Sequence, residues 1–232
     1  MINLKESSFA NYLFTPKSNE KVFIDIETTF YQLNDYCFFL LEKTKSEFKK
    51  NEYDYSPEGQ AKAEDEVFEN INDVKIPTFE DLAEEMGEDI NPSTYQFGPE
   101  DFVDFWKDNY YFLTPANILI LLYFNTEKSL KNLCVEFNTE KNNVVKLRLK
   151  PSHNTSKIEE AFKYLNDKCN IQYTPSDDVK LHLKEINKIR NNFAHGDWDL
   201  LKERISKIDL IKSFKIASSI FEDIEKSFMM NK

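Results

Sequence analysis

The chain has 232 residues, of which 41% are hydrophobic and 31% charged, a balance that describes an ordered protein with apolar mass for a substantial core. Its four glycines, Gly59, Gly87, Gly98 and Gly196, are too scattered to build a P-loop or a dinucleotide-binding turn, so those nucleotide folds are excluded. The net charge of −11 is uneven: residues 52–104 hold 17 acidic side chains against Lys62 and Lys75, whereas residues 141–232 carry 18 Lys or Arg against 13 Asp or Glu. Global acidity therefore leaves room for an anionic partner. The acidic stretch reads either as a solvated surface or as a segment that masks a basic site or mimics nucleic acid.

Residues 1–14 lack a basic segment followed by an apolar one, and the longest apolar run, 118–124, is far shorter than a membrane span. Cys37, Cys134 and Cys169 are odd in number and form no C-x-x-C pair, which argues against a disulfide scaffold or zinc ribbon. A reduced, cytoplasmic protein with no membrane partner, no metal and no cofactor is expected.

Along the chain, residues 21–50 contain neither Gly nor Pro, and Phe23, Ile26, Phe30, Leu33, Cys37, Leu40 and Leu41 recur at three- and four-residue steps, predicting a long amphipathic helix. Ser56-Pro57-Glu58 signals a helix start, and 61–71 reads as a short acidic helix. Thr78-Phe79-Glu80-Asp81 is a weaker start, before turn-rich 87–98. Residues 51–99 together read as an acidic insertion between core helices.

Pro99-Glu100-Asp101 opens another helix with Phe102, Phe105 and Trp106. Thr114-Pro115 reads as a cap with proline at the first helical position. Residues 118–124 are apolar all round, predicting a helix through the middle of the core, while Leu130, Leu133 and Phe137 suggest a further helix. A helix-turn-helix DNA reader around 118–137 is a further reading, which rests on the apolar pattern alone, a weak signal. Val145, Leu147 and Leu149 alternate with Lys146, Arg148 and Lys150, as in a short strand or a basic helical extension.

Ile158, Phe162 and Leu165 mark a helix over 156–169. Thr174-Pro175-Ser176-Asp177-Asp178 then supplies a cap and first-turn acids for the next, which runs to Gly196, a residue suited to a left-handed C-terminal cap. Residues 205–228 read as a last long helix with Leu210, Phe214, Ala217, Phe221, Ile224 and Phe228 on one side. His153 and His182 have no partners at zinc-like spacing and read as surface or capping residues.

The chemistry concentrates in Arg190-Asn191-Asn192-Phe193-Ala194-His195-Gly196-Asp197-Trp198. Helical rotation of roughly 100° per residue puts Val179, Leu183, Ile186 and Phe193 in one stripe with Arg190 in its middle. A guanidinium there needs an anion, and its planar donor fork suits phosphate oxygens. Arg190 is one of three arginines beside 27 lysines. His195 lies five residues on, roughly 140° round an unbroken helix, so the two groups cooperate only if the helix unwinds near Gly196 or a second copy meets it across a two-fold axis. Imidazole can move protons near neutral pH and guanidinium can hold charge developing on phosphate, which together allow attack of a ribose 2′-hydroxyl on the adjacent phosphodiester without a metal. Spacing alone equally allows a buried Arg and His bonded to carbonyls or to Asp197 and Asp199. No Ser or Cys nucleophile accompanies His195 in the local sequence. Lys184, Lys188, Lys202 and Arg204 flank the motif as phosphate contacts or ordinary surface charges. Trp198 reads as an anchor for the following loop or a platform for an RNA base.

The string Arg190 to Gly196 resembles the R-x4-6-H signature of the HEPN superfamily, including a polar residue after Arg and an Ala-His-Gly ending. The specific similarity covers 177–228. The resemblance implies an all-α HEPN-like helical bundle over 1–232 and a metal-independent endoribonuclease formed at a homodimer interface, with RNA as substrate, often a toxin or antiviral effector. Arg190 and His195 would be the catalytic pair and Asn191 their polar support, with Lys184, Lys188, Trp198 and Arg204 as substrate contacts. It also implies a possible antitoxin or regulatory partner. Asp197 stands where members paired with a nucleotidyltransferase antitoxin carry a modified Tyr. The alternative within the resemblance is a catalytically silent interaction or nucleotide-binding module.

Overall fold

The computed structural model describes residues 12–70, 99–138 and 155–232. Among these the fold is all-α: α1 (Lys21–Asp54), α2 (Pro57–Asn70), α3 (Pro99–Asp108), α4 (Thr114–Glu136), α5 (Lys157–Lys168), α6 (Asp177–His195), α7 (Trp198–Ile205) and α8 (Leu210–Met230). The chain divides into two compact units, Glu42–Tyr110 and the remainder, Met1–Leu41 with Tyr111–Lys232. The strand-or-helix alternation at 145–150, His153 and the start at Thr78 lie outside the described residues. Among the described residues no helix is long and apolar enough to cross a membrane.

In the larger unit α4 is the hub, packing against α5, α6, α7 and α8. Its sequence makes this possible, because Ile118, Leu119, Leu122, Tyr123, Leu130 and Leu133 are all buried and face several directions. Aromatic rings join α1 to α8: Phe30 meets Phe221 edge-on at 5.5 Å, and Phe14 meets Phe23 and Phe221 at about 6 Å. The segment before α1 is fastened by a buried acid. Glu225 of α8, 2% exposed, accepts backbone N–H bonds from Lys17 (2.9 and 3.0 Å) and Ser18 (2.8 Å). Replacing Glu225 with Ala strands those donors, and we expect a loss of about 2–4 kcal/mol, read as a lower urea midpoint, from the cost of unpairing groups bonded to a charge.

In the smaller unit, Ser56 Oγ accepts the Gly59 N–H at 3.0 Å as α2 begins, as the Ser-Pro-Glu signal predicts. Gly59 is required by close approach, since a Cβ there would lie 2.1 Å from the Tyr53 carbonyl oxygen. Phe48 stacks on Tyr110.

Three expectations are corrected. Residues 118–136 lie in one unbroken helix, so they are not a helix-turn-helix, and the Thr126 hydroxyl donates to Leu122 O at 2.8 Å within α4. Thr114 does not cap α4 either. The backbone before it is already helical, through a π-helical turn at Asn109–Leu113. The wider turn accommodates Pro115, which has no N–H to give. The last long helix begins at Leu210 rather than at Ile205. Ile205 ends the separate α7, and Asp209 caps α8 by accepting from Ile211 N and Lys212 N.

Candidate functional site

Both ends of α6 are fixed by local sequence. Ser176 accepts from Val179 N with Asp177 and Asp178 in the first turn, and Gly196, at φ +73°, supplies the left-handed cap. The cap is a Schellman arrangement, with Gly196 N donating to Phe193 O (3.3 Å) and Asp197 N to Asn192 O (2.9 Å). The helix stays regular through His195, so it does not unwind between Arg190 and His195.

The buried face of α6 is Val179, His182, Ile186 and Ile189, rotated from the stripe that the spacing suggests. Leu183 and Phe193 pack at its margin, half-buried. Arg190 therefore stands at the edge of the seam rather than in its middle, half-buried. Its guanidinium lies 5.5 Å from the centroid of the Phe124 ring on α4, and its Nη1 donates a long bond of 3.4 Å to Asn187 Oδ1. No carboxylate pairs with it among the described residues. Phe124, which the sequence placed among packing residues, is 46% exposed and forms one wall of the site. Tyr123 is buried beside it; burial raises its hydroxyl above the ordinary value, with Ser156, Glu127, Arg190 and Glu159 all near enough to act on it.

His195, the last residue of α6, is exposed and makes no hydrogen bond or ion pair among the described residues. Asn191 is exposed as well. Its neighbour Asn192 carries the surprise, since its Nδ2 is sealed from solvent with no partner among the described residues. Sequence could not have distinguished the two asparagines without knowing the rotation of the helix.

The flanking cations fare differently from one another. Lys188 (2.6 Å) and Arg204 (2.9 Å) both bind Glu185, whose carboxyl is held below the usual range first by its bond from Lys188 and then by the nearby charges of Lys188 and Arg204. Both are thus bound within the fold by one carboxylate, which offsets one of their two positive charges, and Arg204 Nε is buried without a partner among the described residues. Lys184 is exposed and has no ion pair among the described residues. Trp198 packs edge-on against Phe193 (5.8 Å) and Phe112 (6.2 Å), yet 47% of it stays open to solvent. Lys202 lies over the Phe112 ring.

His182 is buried, not a surface residue. Ser213 gives its hydroxyl hydrogen to Asp209 O at 2.8 Å, so at 2.9 Å it accepts from His182 Nε2–H, which assigns the tautomer. Burial, and then Lys212, depress the pKa of His182 below 6.5, against the opposing pull of Asp178 and Asp209. The folded protein therefore binds this proton less readily than the unfolded chain does, and the stability tied to neutral His182 is intact above pH 6.5 and lost as pH falls below it. A His182→Gln variant should show a flatter decline of melting temperature below that pH than the wild type, measured by circular dichroism at stepped pH.

The thiols offer no nucleophile. Cys37, Cys134 and Cys169 are buried and free, and burial pushes them up to about 12, 12 and 11. The arrangement thus brings Arg190, Phe124 and Asn187 together, ties Lys188 to Arg204 through Glu185, and leaves His195 facing solvent at the helix end. No protein-family model, curated protein or solved structure matches this chain.

Proposed function

We propose that this protein is an endoribonuclease in which Arg190 and His195 act on one RNA phosphodiester. The supporting observation is a half-buried guanidinium that has an aromatic ring and an amide oxygen beside it but no carboxylate among the described residues. A phosphate oxygen is the anion whose geometry its donor fork fits. The resemblance of the Arg190 to Gly196 string to the R-x4-6-H signature of the HEPN superfamily agrees with this.

The imidazole of His195 takes the proton of a ribose 2′-hydroxyl as that oxygen attacks phosphorus. The bond from phosphorus to the 5′-oxygen breaks, and the leaving oxygen takes a proton from solvent. A 2′,3′-cyclic phosphate and a 5′-hydroxyl result. Arg190 holds the non-bridging oxygens while charge builds on them. No step requires a metal. Because α6 is regular from Arg190 to His195, the reading takes the pair from two copies of the chain related by a two-fold axis. In a cell such an enzyme serves as a toxin or antiviral effector, held in check by an antitoxin or regulatory protein.

Glu185 favours the second reading, a silent interaction module, because it occupies two of the cations that flank the motif. Incubating purified protein with RNA in EDTA separates the two. Cleavage that disappears in Arg190→Ala and His195→Ala supports the enzyme, and intact RNA with folded protein supports the module.

A further inference from the structure

A cavity of about 300 Å³ opens between the start of α5 and the middle of α6. Its walls divide by chemistry. Phe162, Pro175 and Leu183 give an apolar side, while Thr155, Ser156, Glu159, Lys180, Lys184 and Asn187 give a polar one with two cations and one acid. Phe162 is held by an edge-on contact with Tyr173 at 4.9 Å, and Ser156 is fixed as the capping-box residue of α5, so both walls are set before any ligand arrives. Such a cleft, apolar with a few convergent polar groups, is of the kind that takes a planar heterocycle.

Asn187 links this cavity to the motif, since its Oδ1 accepts from Arg190 while its amide also lines the cavity. Lys184 and Lys180 share the cavity with Glu159, whose carboxylate is engaged by Ser156 N at 2.6 Å, and Lys184 makes no ion pair among the described residues. Along α6, Lys184 and Arg190 are six residues apart, an axial rise of about 9 Å at 1.5 Å per residue, and point about 120° apart around the axis. A strand stacked at about 3.4 Å per nucleotide covers that distance in two to three nucleotides. One strand that follows the turn of α6 can therefore place a phosphate on Arg190 and a base two or three nucleotides away at the cavity.

We propose that the cavity lined by Phe162, Leu183, Lys184 and Asn187 is a base-binding subsite for single-stranded RNA, with Lys184 holding the phosphate of the bound nucleotide. This rests on the endoribonuclease reading and adds to it a substrate class: an unpaired strand, because a base held in duplex cannot enter.

The test uses a dye-labelled single-stranded RNA whose cut position has been mapped, and a set of copies each carrying one abasic ribose. Binding is followed by fluorescence anisotropy and cleavage by gel. Loss of the base two or three nucleotides from the cut should raise KM about tenfold and leave kcat unchanged, a size set by base stacking. Leu183→Ala and Lys184→Gln should weaken binding of the intact RNA and abolish the difference between intact and abasic copies. Lys184 is exposed, so its variant tests the site without threatening the fold. Cleavage that ignores the position of the abasic ribose, or variants that match the wild type, overturns the subsite and leaves the nuclease standing. Position-dependent binding without cleavage supports the subsite and overturns the nuclease. RNA neither bound nor cut overturns both.

Discussion

Arg190→Ala should lower kcat for RNA cleavage by about 10²–10³, the usual consequence of removing one donor from a developing oxyanion. His195→Ala should lower it by about 10²–10⁴, the range for a general acid or base. Neither change should disturb the fold. His195 is exposed at the end of α6, and Arg190 forms no ion pair among the described residues whose loss would strand a buried acid. Melting temperatures should therefore stay close to that of the wild type. Arg190→Lys should rescue little, since an ammonium cannot present two parallel N–H groups to phosphate.

The same two variants examine how the site is assembled. If each site takes Arg190 from one copy and His195 from the other, co-refolding the two inactive variants produces mixed dimers with one intact site. Random pairing makes half the dimers mixed, so about a quarter of wild-type activity returns. Recovery near zero would place both groups within one chain and require the end of α6 to rearrange when RNA binds.

The largest stability effect is expected at the aromatic joint between α1 and α8. Phe221 is fully buried and its ring meets both Phe14 and Phe30. Phe221→Ala removes a ring that the surrounding helices cannot collapse to replace, at a cost of about 3–5 kcal/mol. For a chain of this size that corresponds to a fall in melting temperature of roughly 6–20 °C. Phe221→Leu, which keeps most of the volume, should cost about 1 kcal/mol. A fall of only a degree or two for the Ala variant would mean that α1 and α8 are held together elsewhere, with the Glu225 clamp on Lys17 and Ser18 as the first place to look.

Much of the fold was legible in the sequence where the signal was short-range. The cap at Ser176, the left-handed Gly196 and the start at Pro57 all follow from residues a few positions apart, and each stands where its pattern predicts. Thr114-Pro115 carries the chemistry of a helix start, but a π-helical turn carries the helical backbone through it, and α4 continues to Glu136 with Thr126 bonded back to Leu122 O. The start expected at Ile205 missed the end of α7, and Asp209 caps α8 instead.

For the candidate site the division is sharper. The sequence by itself determined that α6 ends on His195 and Gly196, since cap geometry depends only on neighbours along the chain, whereas it set Arg190 in the middle of an apolar stripe and the packed helix turns it to the edge. Only the tertiary structure decided what meets each charge. It set Phe124 beside Arg190, gave Lys188 and Arg204 a shared carboxylate in Glu185, buried His182 against Ser213 and sealed Asn192 Nδ2 from solvent. Those partners come from other helices or from the rotation of α6 against the core, and packing of α4 among its neighbours fixes both.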